Sequence, residues 1–393
     1  MNIGIFTDCY YPQINGVVSS ILMLREELIK RGHSVTIITV KVPGYTETSH
    51  DVIRINSIPF RKWKEFRLGV PFSLPNHRQI KALNLDLIHT QTEFSVGLLG
   101  KYMAKVLDIP LIHTYHTMYE DYSHYVLPTK HGKFIVKKFL IYGSKRYVKK
   151  FNAIIAPSGK TKSALLRYGV KNDIFIVPTG IKLDQFQQHE KDDPKIHEIR
   201  ERLGLDFHQP IILSLGRISQ EKSIDWIITQ MVDLKKTIPD VKLLIVGDGP
   251  YKETLEALTH SLELDHSVIF TGRVPWEEVS YYYNMANVFV SASRTETQGL
   301  TIIEAMASKT PVVVYNDENI KDVVMDGISG RLFTTQKELT ACLLDILLNI
   351  QTNDLTNNAY EIVQTLSIEK FGESAEKLYA HFVDGTAPFV SVS

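Results

Sequence analysis

Residues 286–315 admit one local architecture. Ala286–Ser293 is an apolar run centred on Val288, Phe289 and Val290, the pattern of a buried strand. A polar turn with a single glycine, Gly299, follows. Leu300, Ile303, Met306 and Ala307 then recur at helical spacing, and Thr310–Tyr315 is a second buried strand. Strand, tight loop, helix and strand make one crossover of a parallel sheet, which helices cover on both faces. A chain built on this unit is an α/β protein.

Two carboxylates bracket the loop, Glu296 and Glu304, with seven residues between them. The amides of Gly299, Leu300 and Thr301 open the helix, and a helix start attracts anions, phosphate in particular. Two readings stand for this stretch. In one, the carboxylates flank a bound phosphate group. In the other, it is an ordinary strand-to-helix junction with a solvated Glu296 and a capping acid.

The same alternation runs through the chain. In the first half, 3–6, 35–40, 51–55, 86–90, 110–114 and 153–156 read as strands, with helices at 17–31 and 95–107. Gly32 stands where a helix-closing glycine belongs. In the second half, 210–215, 242–246, 267–270, 286–291 and 310–315 are strands. At 393 residues the chain exceeds what one core holds. The polar segment after residue 184 separates two doubly wound α/β domains, 1–184 and 185–366. Phe371, Ala375, Leu378, Tyr379 and Phe382 mark a final helix, within 367–393, that returns towards the first domain. The expected architecture is two Rossmann-like domains facing each other across a cleft.

No apolar run approaches the length of a membrane span. The start, Met1–Asp8, reads as a strand and not as a signal peptide. The two cysteines, Cys9 and Cys342, supply neither a disulfide framework nor metal-ligand spacing. These features point to a reducing cytoplasm. The formal net charge of zero conceals a split: residues 1–184 hold 26 Lys+Arg against 13 Asp+Glu, and residues 185–393 hold 18 against 31. Between Asp121 and Asp173 there is no acidic residue. One half is therefore expected to face an anionic partner.

In open α/β sheets ligands bind where strands end, so candidate residues should follow strands. Gly216, Arg217 and Lys222 follow the strand 210–215. The planar fork of Arg217 and the point charge of Lys222 suit a diphosphate. Two solvated cations on a surface loop are the alternative. His116 lies just past the strand 110–114, but His89 and His113 are equally near strand ends, and a structural role is open to all three. Gly16 ends the loop 7–16. It either lets that loop approach phosphates or is a plain turn glycine. No Asp-x-Asp or histidine cluster offers a metal cage.

Taken in order, Gly216-Arg217 with Glu221-Lys222, Val246–Pro250, Phe270–Val274, the Glu296/Glu304 pair and Val324–Phe333 resemble the retaining glycosyltransferases of the GT4 family, which have the two-Rossmann GT-B fold. Tyr11–Val18 and Thr114–Thr117 extend the resemblance into the first half. The resemblance implies that Glu304 hydrogen-bonds the ribose of a nucleotide-sugar donor and that Glu296 holds hydroxyls of the transferred sugar. Arg217 and Lys222 would bind the diphosphate and stabilise the leaving nucleotide, with the amides of Gly299, Leu300 and Thr301 completing that site. Backbone near Arg273 and Val274 would meet the base, His116 would approach the sugar, and Gly16 would bring its loop to the donor phosphates. Transfer would be metal-independent and would retain configuration without an assigned enzymic nucleophile. Many members carry asparagine where this chain has Thr179. The form Pro178–Ile181 resembles the branch that glucosylates diacylglycerol at bacterial membranes.

The acceptor side is electrostatic. From Lys130 to Lys150 there are eight basic residues and no acidic one, interleaved with Phe134, Phe139, Tyr142, Tyr147 and Val148 among others. Arg61–Leu68 places Trp63 and Phe66 among further cations. Basic amphipathic segments of this kind lie on anionic lipid. The alternatives are an apolar side packed on the sheet with solvated cations outside, or contact with nucleic acid. The membrane reading is taken, without a nucleic-acid partner. The expected protein is a peripheral enzyme at the inner face of the cell membrane, moving glucose from UDP-glucose to diacylglycerol and using no cofactor. Phosphatidylinositol, another glycolipid or a soluble glycan are alternative acceptors. A non-catalytic nucleotide-sugar-binding protein is the alternative outside the enzyme class, and the presence of Arg217, Lys222 and Glu304 argues against it.

Overall fold

Short runs of isoleucine, valine and leucine set the sheets. In β1 (Asn2–Phe6), Ile3 and Ile5 face one side and Phe6 the other, and all three are fully buried. A strand apolar on both faces belongs inside a parallel sheet with a helical layer on each side. The computed structural model describes residues 1–13, 15–59, 67–70, 73–116, 138, 141–186, 188–190, 192–317, 320–321, 323–348 and 352–385. The chain divides into two units, Met1–Gly180 with Ile368–Ser393, and Ile181–Ser367.

In the first unit, β1 is joined by β2 (Ser34–Val40) and β3 (Val52–Ile55), while β4 (Ser57–Pro59) and β5 (Arg67–Gly69) form a separate antiparallel pair. With β6 (Leu87–Thr90), β7 (Leu111–Thr114), β8 (Ala153–Ala156) and β9 (Asp173–Ile176), the main sheet runs β3-β2-β1-β6-β7-β8-β9, every pair parallel. The winding reverses between β1 and β6. That is the switch point at which an open α/β sheet opens a crevice.

The helix Gly16–Lys30 starts at Asn15, whose Oδ1 accepts from the amides of Val17 and Val18, both at 3.0 Å. Gly32, at φ 85°, ends it as expected. The helix Ser95–Leu107 has Phe94 at its cap and so no capping side chain of its own. Asp8, from the exit of β1, replaces it, accepting from the Thr92 hydroxyl at 2.7 Å, the Val96 amide at 3.1 Å and the Ser95 hydroxyl. Burial pushes the Asp8 carboxyl above its usual range, and these hydrogen bonds oppose the shift.

The C-terminal helix, Ile368–Asp384, buries Phe371, Ala375, Leu378 and Tyr379 in the core that β1 and the Gly16–Lys30 helix share. Its outer edge is pinned by Glu376, which accepts from Arg31 at 3.1 Å and pairs with His33 Nε2 at 2.8 Å.

The second unit contains β10 (Ile211–Leu215), β11 (Lys242–Val246), β12 (Val268–Gly272), β13 (Val288–Ser291), β14 (Val312–Tyr315) and β15 (Arg331–Phe333). Its all-parallel order is β12-β11-β10-β13-β14-β15, so the winding reverses between β10 and β13. The two faces of this sheet pack separate apolar layers, one around Tyr283, Phe289 and Met306, the other around Met231, Leu243 and Phe333. The anticipated strands recur with their ends shifted by at most two residues. The pair β4/β5 and the strand β15 were not anticipated. They are three residues long and carry Pro59, Arg67 and Arg331, which leave no apolar period to read.

Candidate functional site

In the second unit the exits of three strands are laced together. The Gly216 amide donates to Val246 O and the Gly247 amide to Gly272 O, each at 2.9 Å. A Cβ on Gly247 would lie 1.9 Å from Gly216 O, so the exits of β10 and β11 approach more closely than any side chain permits. This lacing sets Arg217, Asp248 and Arg273 on one sheet edge. Arg273 is exposed, with Nε 3.8 Å from Asp248 Oδ2, and Val274 behind it is half-buried.

At the switch point, Gly216, Arg217, Lys222, Glu296 and Thr301 line one recess. Lys222 stands on the turn Gln220–Lys222, and its Nζ lies 2.5 Å from Glu296 Oε1. An ammonium has three donors and can serve more than one acceptor at once. Arg217 is exposed, and among the described residues no ion pair to it occurs. The turn that carries Glu296 is braced by Arg294, whose guanidinium lies 4.2 Å from the ring centre of Trp226 and 4.8 Å from that of Tyr315.

Gly299 caps the helix Leu300–Ala307 at φ 76°, and a Cβ there would meet Ile320 Cδ1 at 2.8 Å. No side chain caps this helix. Helix geometry leaves the first amides, including those of Leu300 and Thr301, without acceptors inside the helix, at the positive end of its dipole. One turn on, Glu304 is buried. Its Oε2 accepts from the Tyr283 hydroxyl at 2.8 Å, and that hydroxyl is also 3.1 Å from Thr301 O. Burial pushes the Glu304 carboxyl up to about 7, against the opposing effect of the Tyr283 hydrogen bond.

In the first unit the three histidines near strand ends separate. His113 is fully buried, with Nδ1 2.9 Å from the Thr90 hydroxyl and Nε2 3.3 Å from Glu93. His89 is fully buried between Tyr379 and Thr114, with each hydroxyl 2.7 Å from a ring nitrogen. His116, just past β7, keeps some solvent-accessible surface. Its Nε2 lies 2.6 Å from Gln91 Oε1. The protein atoms packed around the ring desolvate it and His113 stands nearby, so its basicity is pushed down to about 3 and the ring is neutral. Gly16 is the first residue of its helix, with Asn15 holding the amides beyond it. The Thr179 hydroxyl lies 3.2 Å from that of Ser20.

The structure thus brings Gly216, Arg217, Lys222, Glu296 and Thr301 to one recess. It puts Gly299 and Leu300 at the adjoining helix start, Glu304 one turn deeper, and Arg273 and Val274 at the neighbouring strand exit. Gly16 and His116 belong to the first unit. Sequence reasoning did not single out Tyr283, Gln91 or the bracing Arg294. Each acts through a partner distant in the chain. Among the described residues no group of three His, Cys, Asp or Glu could hold a metal ion.

Of the basic segments, residues 61–66, 130–137, 139 and 140 lie outside the described residues. In the helical stretch 141–148, Tyr147 and Val148 are buried in the core and are not a lipid-facing side; Tyr142, Lys145, Arg146, Lys149 and Lys150 are exposed. No helix among the described residues is long and apolar enough to cross a membrane.

Residues 14–185 match the family Glycosyltransferase Family 4, and residues 195–362 match Glycosyl transferases group 1. The chain is 38% identical over 385 residues to an alpha-monoglucosyldiacylglycerol synthase of Streptococcus pneumoniae, covering 96% of this chain and 85% of that protein. It is 35% identical over 391 residues to an alpha-monoglucosyldiacylglycerol synthase of Acholeplasma laidlawii, covering 98% of each. In fold it is similar to a sucrose-phosphate synthase from Thermosynechococcus elongatus, with a TM-score of 0.78 at 24% identity over 98% of this chain and 99% of that one.

Proposed function

The chain belongs to the family 4 glycosyltransferases, with the GT-B pairing of two Rossmann-like units, and on that premise we propose that it moves glucose from UDP-glucose onto diacylglycerol at an anionic membrane surface. The observation that carries the donor half is the recess at the β10/β13 switch point. There two cations and a helix start converge where a diphosphate would lie. The acceptor half draws its support from the two near-full-length relatives, both named alpha-monoglucosyldiacylglycerol synthase.

Breaking a sugar–phosphate bond builds negative charge on the departing diphosphate. We assign Arg217 and Lys222, with the amides of Gly299, Leu300 and Thr301, to that charge. Fixed donors aimed at developing charge lower the barrier without reorganising. They supply the charge stabilisation for which a metal would otherwise be used, so we assign no metal to the step. We assign Glu296, paired with Lys222, to accept from sugar hydroxyls. Glu304 is assigned to the ribose hydroxyls, and the backbone around Arg273 and Val274 to the base. Gly16 is assigned to the donor phosphates through the helix start it begins. His116, neutral and donating from Nε2 to Gln91, offers Nδ1 as an acceptor for a substrate hydroxyl. Transfer would proceed on one face of the sugar, with configuration retained and no enzymic nucleophile assigned.

The membrane reading draws on charge and exposure in the first unit. Lys138, Lys145, Arg146, Lys149 and Lys150 are exposed, and about 1 kcal/mol per cation near anionic lipid suffices for reversible attachment. The neighbouring helix Ser95–Leu107 adds a stripe at four-residue spacing: Phe94, Leu98, Tyr102 and Val106 are 46%, 47%, 42% and 41% exposed. The Lys101 ammonium of this helix meets Tyr147 O, which joins it to the basic helix. In flotation assays the protein is expected to rise with phosphatidylglycerol-containing vesicles at low salt and to be released at about 0.5 M salt, where charges are screened beyond a few ångströms. Charge reversal at Lys145, Lys149 and Lys150 is expected to weaken that binding at least tenfold. Equal binding to neutral vesicles would contradict the electrostatic account. Acceptor identity is tested by presenting UDP-glucose with diacylglycerol, phosphatidylinositol or a soluble glycan. Sugar appearing on either of the last two and not on diacylglycerol would overturn the assignment.

A further inference from the structure

We propose that Tyr379, on the C-terminal helix, is a positioning residue for His116, acting through His89 and Gln91. The proposal rests on the transferase reading above, in which His116 meets a substrate hydroxyl. Tyr379 is fully buried, and phenylalanine would fill the same volume in the apolar core of the helix Ile368–Asp384. A buried hydroxyl is costly unless bonded. This one lies 2.7 Å from His89 Nδ1, and Thr114 on β7 lies 2.7 Å from His89 Nε2. With a partner at each nitrogen, the His89 ring on β6 has one orientation.

That ring in turn orients Gln91. The Gln91 amide nitrogen is 3.1 Å from His89 Nδ1 and 3.2 Å from Nε2. A point equidistant from both nitrogens lies in line with neither the ring's N–H nor its lone pair, so the amide donor sits against the ring as a whole. The other end of the amide, Oε1, then faces His116 Nε2 at 2.6 Å. A carboxamide oxygen only accepts, so His116 carries its proton on Nε2 and its lone pair on Nδ1. All members before His116 are buried, Gln91 and Thr114 being 3% and 6% exposed and His89 and Tyr379 0%. The chain of contacts therefore ends at its most exposed member, the half-buried His116. It fixes both the orientation and the tautomer of that ring. His113 is not part of it, being held by Thr90 and Glu93.

Removing the Tyr379 hydroxyl takes from His89 Nδ1 its shorter contact, at 2.7 Å, frees the ring to exchange tautomers, and loosens Gln91 against His116. The expected result for Tyr379→Phe is a roughly tenfold lower kcat with donor KM within about twofold, the signature of misplacement without lost binding. Long-range 1H–15N spectra of histidine-labelled protein are expected to show His116 in the Nε2–H form in the wild type and a mixture of tautomers in Tyr379→Phe. Leu378→Ala, at a fully buried neighbour on the same helix, is the control. It should lower thermal stability and leave kcat and the His116 signals unchanged. A wild-type kcat with unchanged His116 signals in Tyr379→Phe would overturn the proposal, as would the same kcat loss in Leu378→Ala. If Tyr379→Phe does not fold, the wild-type spectrum decides, since His116 protonated on Nδ1 contradicts the relay. If the protein transfers no sugar, the transferase reading fails, while the tautomer still reports on the relay.

Discussion

Replacing Lys222 by methionine is expected to lower sugar transfer about a thousandfold while leaving the fold intact. The two halves of this expectation have different physical origins. Lys222 and Glu296 are 30% and 12% exposed, so their ion pair is partly solvated and its loss costs the fold little, on the order of 1 kcal/mol or less. The catalytic loss comes from the charge that grows on the diphosphate as the sugar departs. Lys222 lines the recess with Arg217, and a preorganised cation in such a place stabilises the transition state more than the ground state. The diagnostic pattern is a fall in kcat with a thermal midpoint close to the wild type. Lys222→Arg keeps the charge but exchanges a compact ammonium for a planar fork, and is expected to fall between the two. A Lys222→Met protein that turns over donor normally would remove the diphosphate from this recess.

Glu304→Gln is expected to do two opposite things, to weaken donor use and to stabilise the free protein above neutral pH. The Glu304 carboxyl is buried, and burial pushes its pKa up to about 7 from the ordinary 4.5. The sign follows from proton linkage. Between those values the folded state holds a proton that the unfolded state has released, so stability falls as pH rises through this window. Below the window there is no penalty, and above it the whole cost of a buried carboxylate is present, roughly 3 kcal/mol for a shift of this size. Glutamine can still accept from Tyr283 and carries no charge to desolvate. Its unfolding midpoint should therefore match the wild type near pH 4 and exceed it at pH 8. Donor use should fall, because ribose hydroxyls donate more strongly to a carboxylate than to an amide, by about 10- to 100-fold in kcat/KM. Glu304→Ala should abolish it. A flat difference in stability across this pH range would mean that the carboxyl titrates normally. Unchanged donor kinetics would mean that Glu304 serves only the fold.

Most of the sheet was legible in the sequence because a buried parallel strand needs apolar residues on both faces, as 243–246 and 153–156 show in single unbroken runs. The short strands escaped because three residues around Pro59, Arg67 or Arg331 carry no period. The convergence of Arg217, Lys222 and Glu296 on one recess was legible because each follows a strand, and strand exits at a winding reversal meet. Glu304 was legible as a residue but not in its state. Tyr283, which bonds it, lies 21 residues upstream on another helix, and burial is a property of the packed unit. The basic segment shows the reverse failure. Tyr147 and Val148 look in sequence like the apolar side of a lipid-binding helix, yet they close the core with Phe151. Periodicity reports that a helix has an apolar face and does not say what covers it. Tyr379 was read as one more apolar position at helical spacing. Its hydroxyl reaches His89 across 290 residues of chain, and no local pattern encodes such a contact.

The measurement that bears most directly on the whole account is the stoichiometry of transfer. UDP-glucose labelled in the sugar is incubated with the protein and anionic vesicles, with and without diacylglycerol, and released UDP is counted against label extracted with lipid. The account predicts equal amounts of UDP and lipid-borne glucose, dependent on diacylglycerol and lost in Lys222→Met. UDP release that is indifferent to diacylglycerol, with no label entering the lipid, would contradict it.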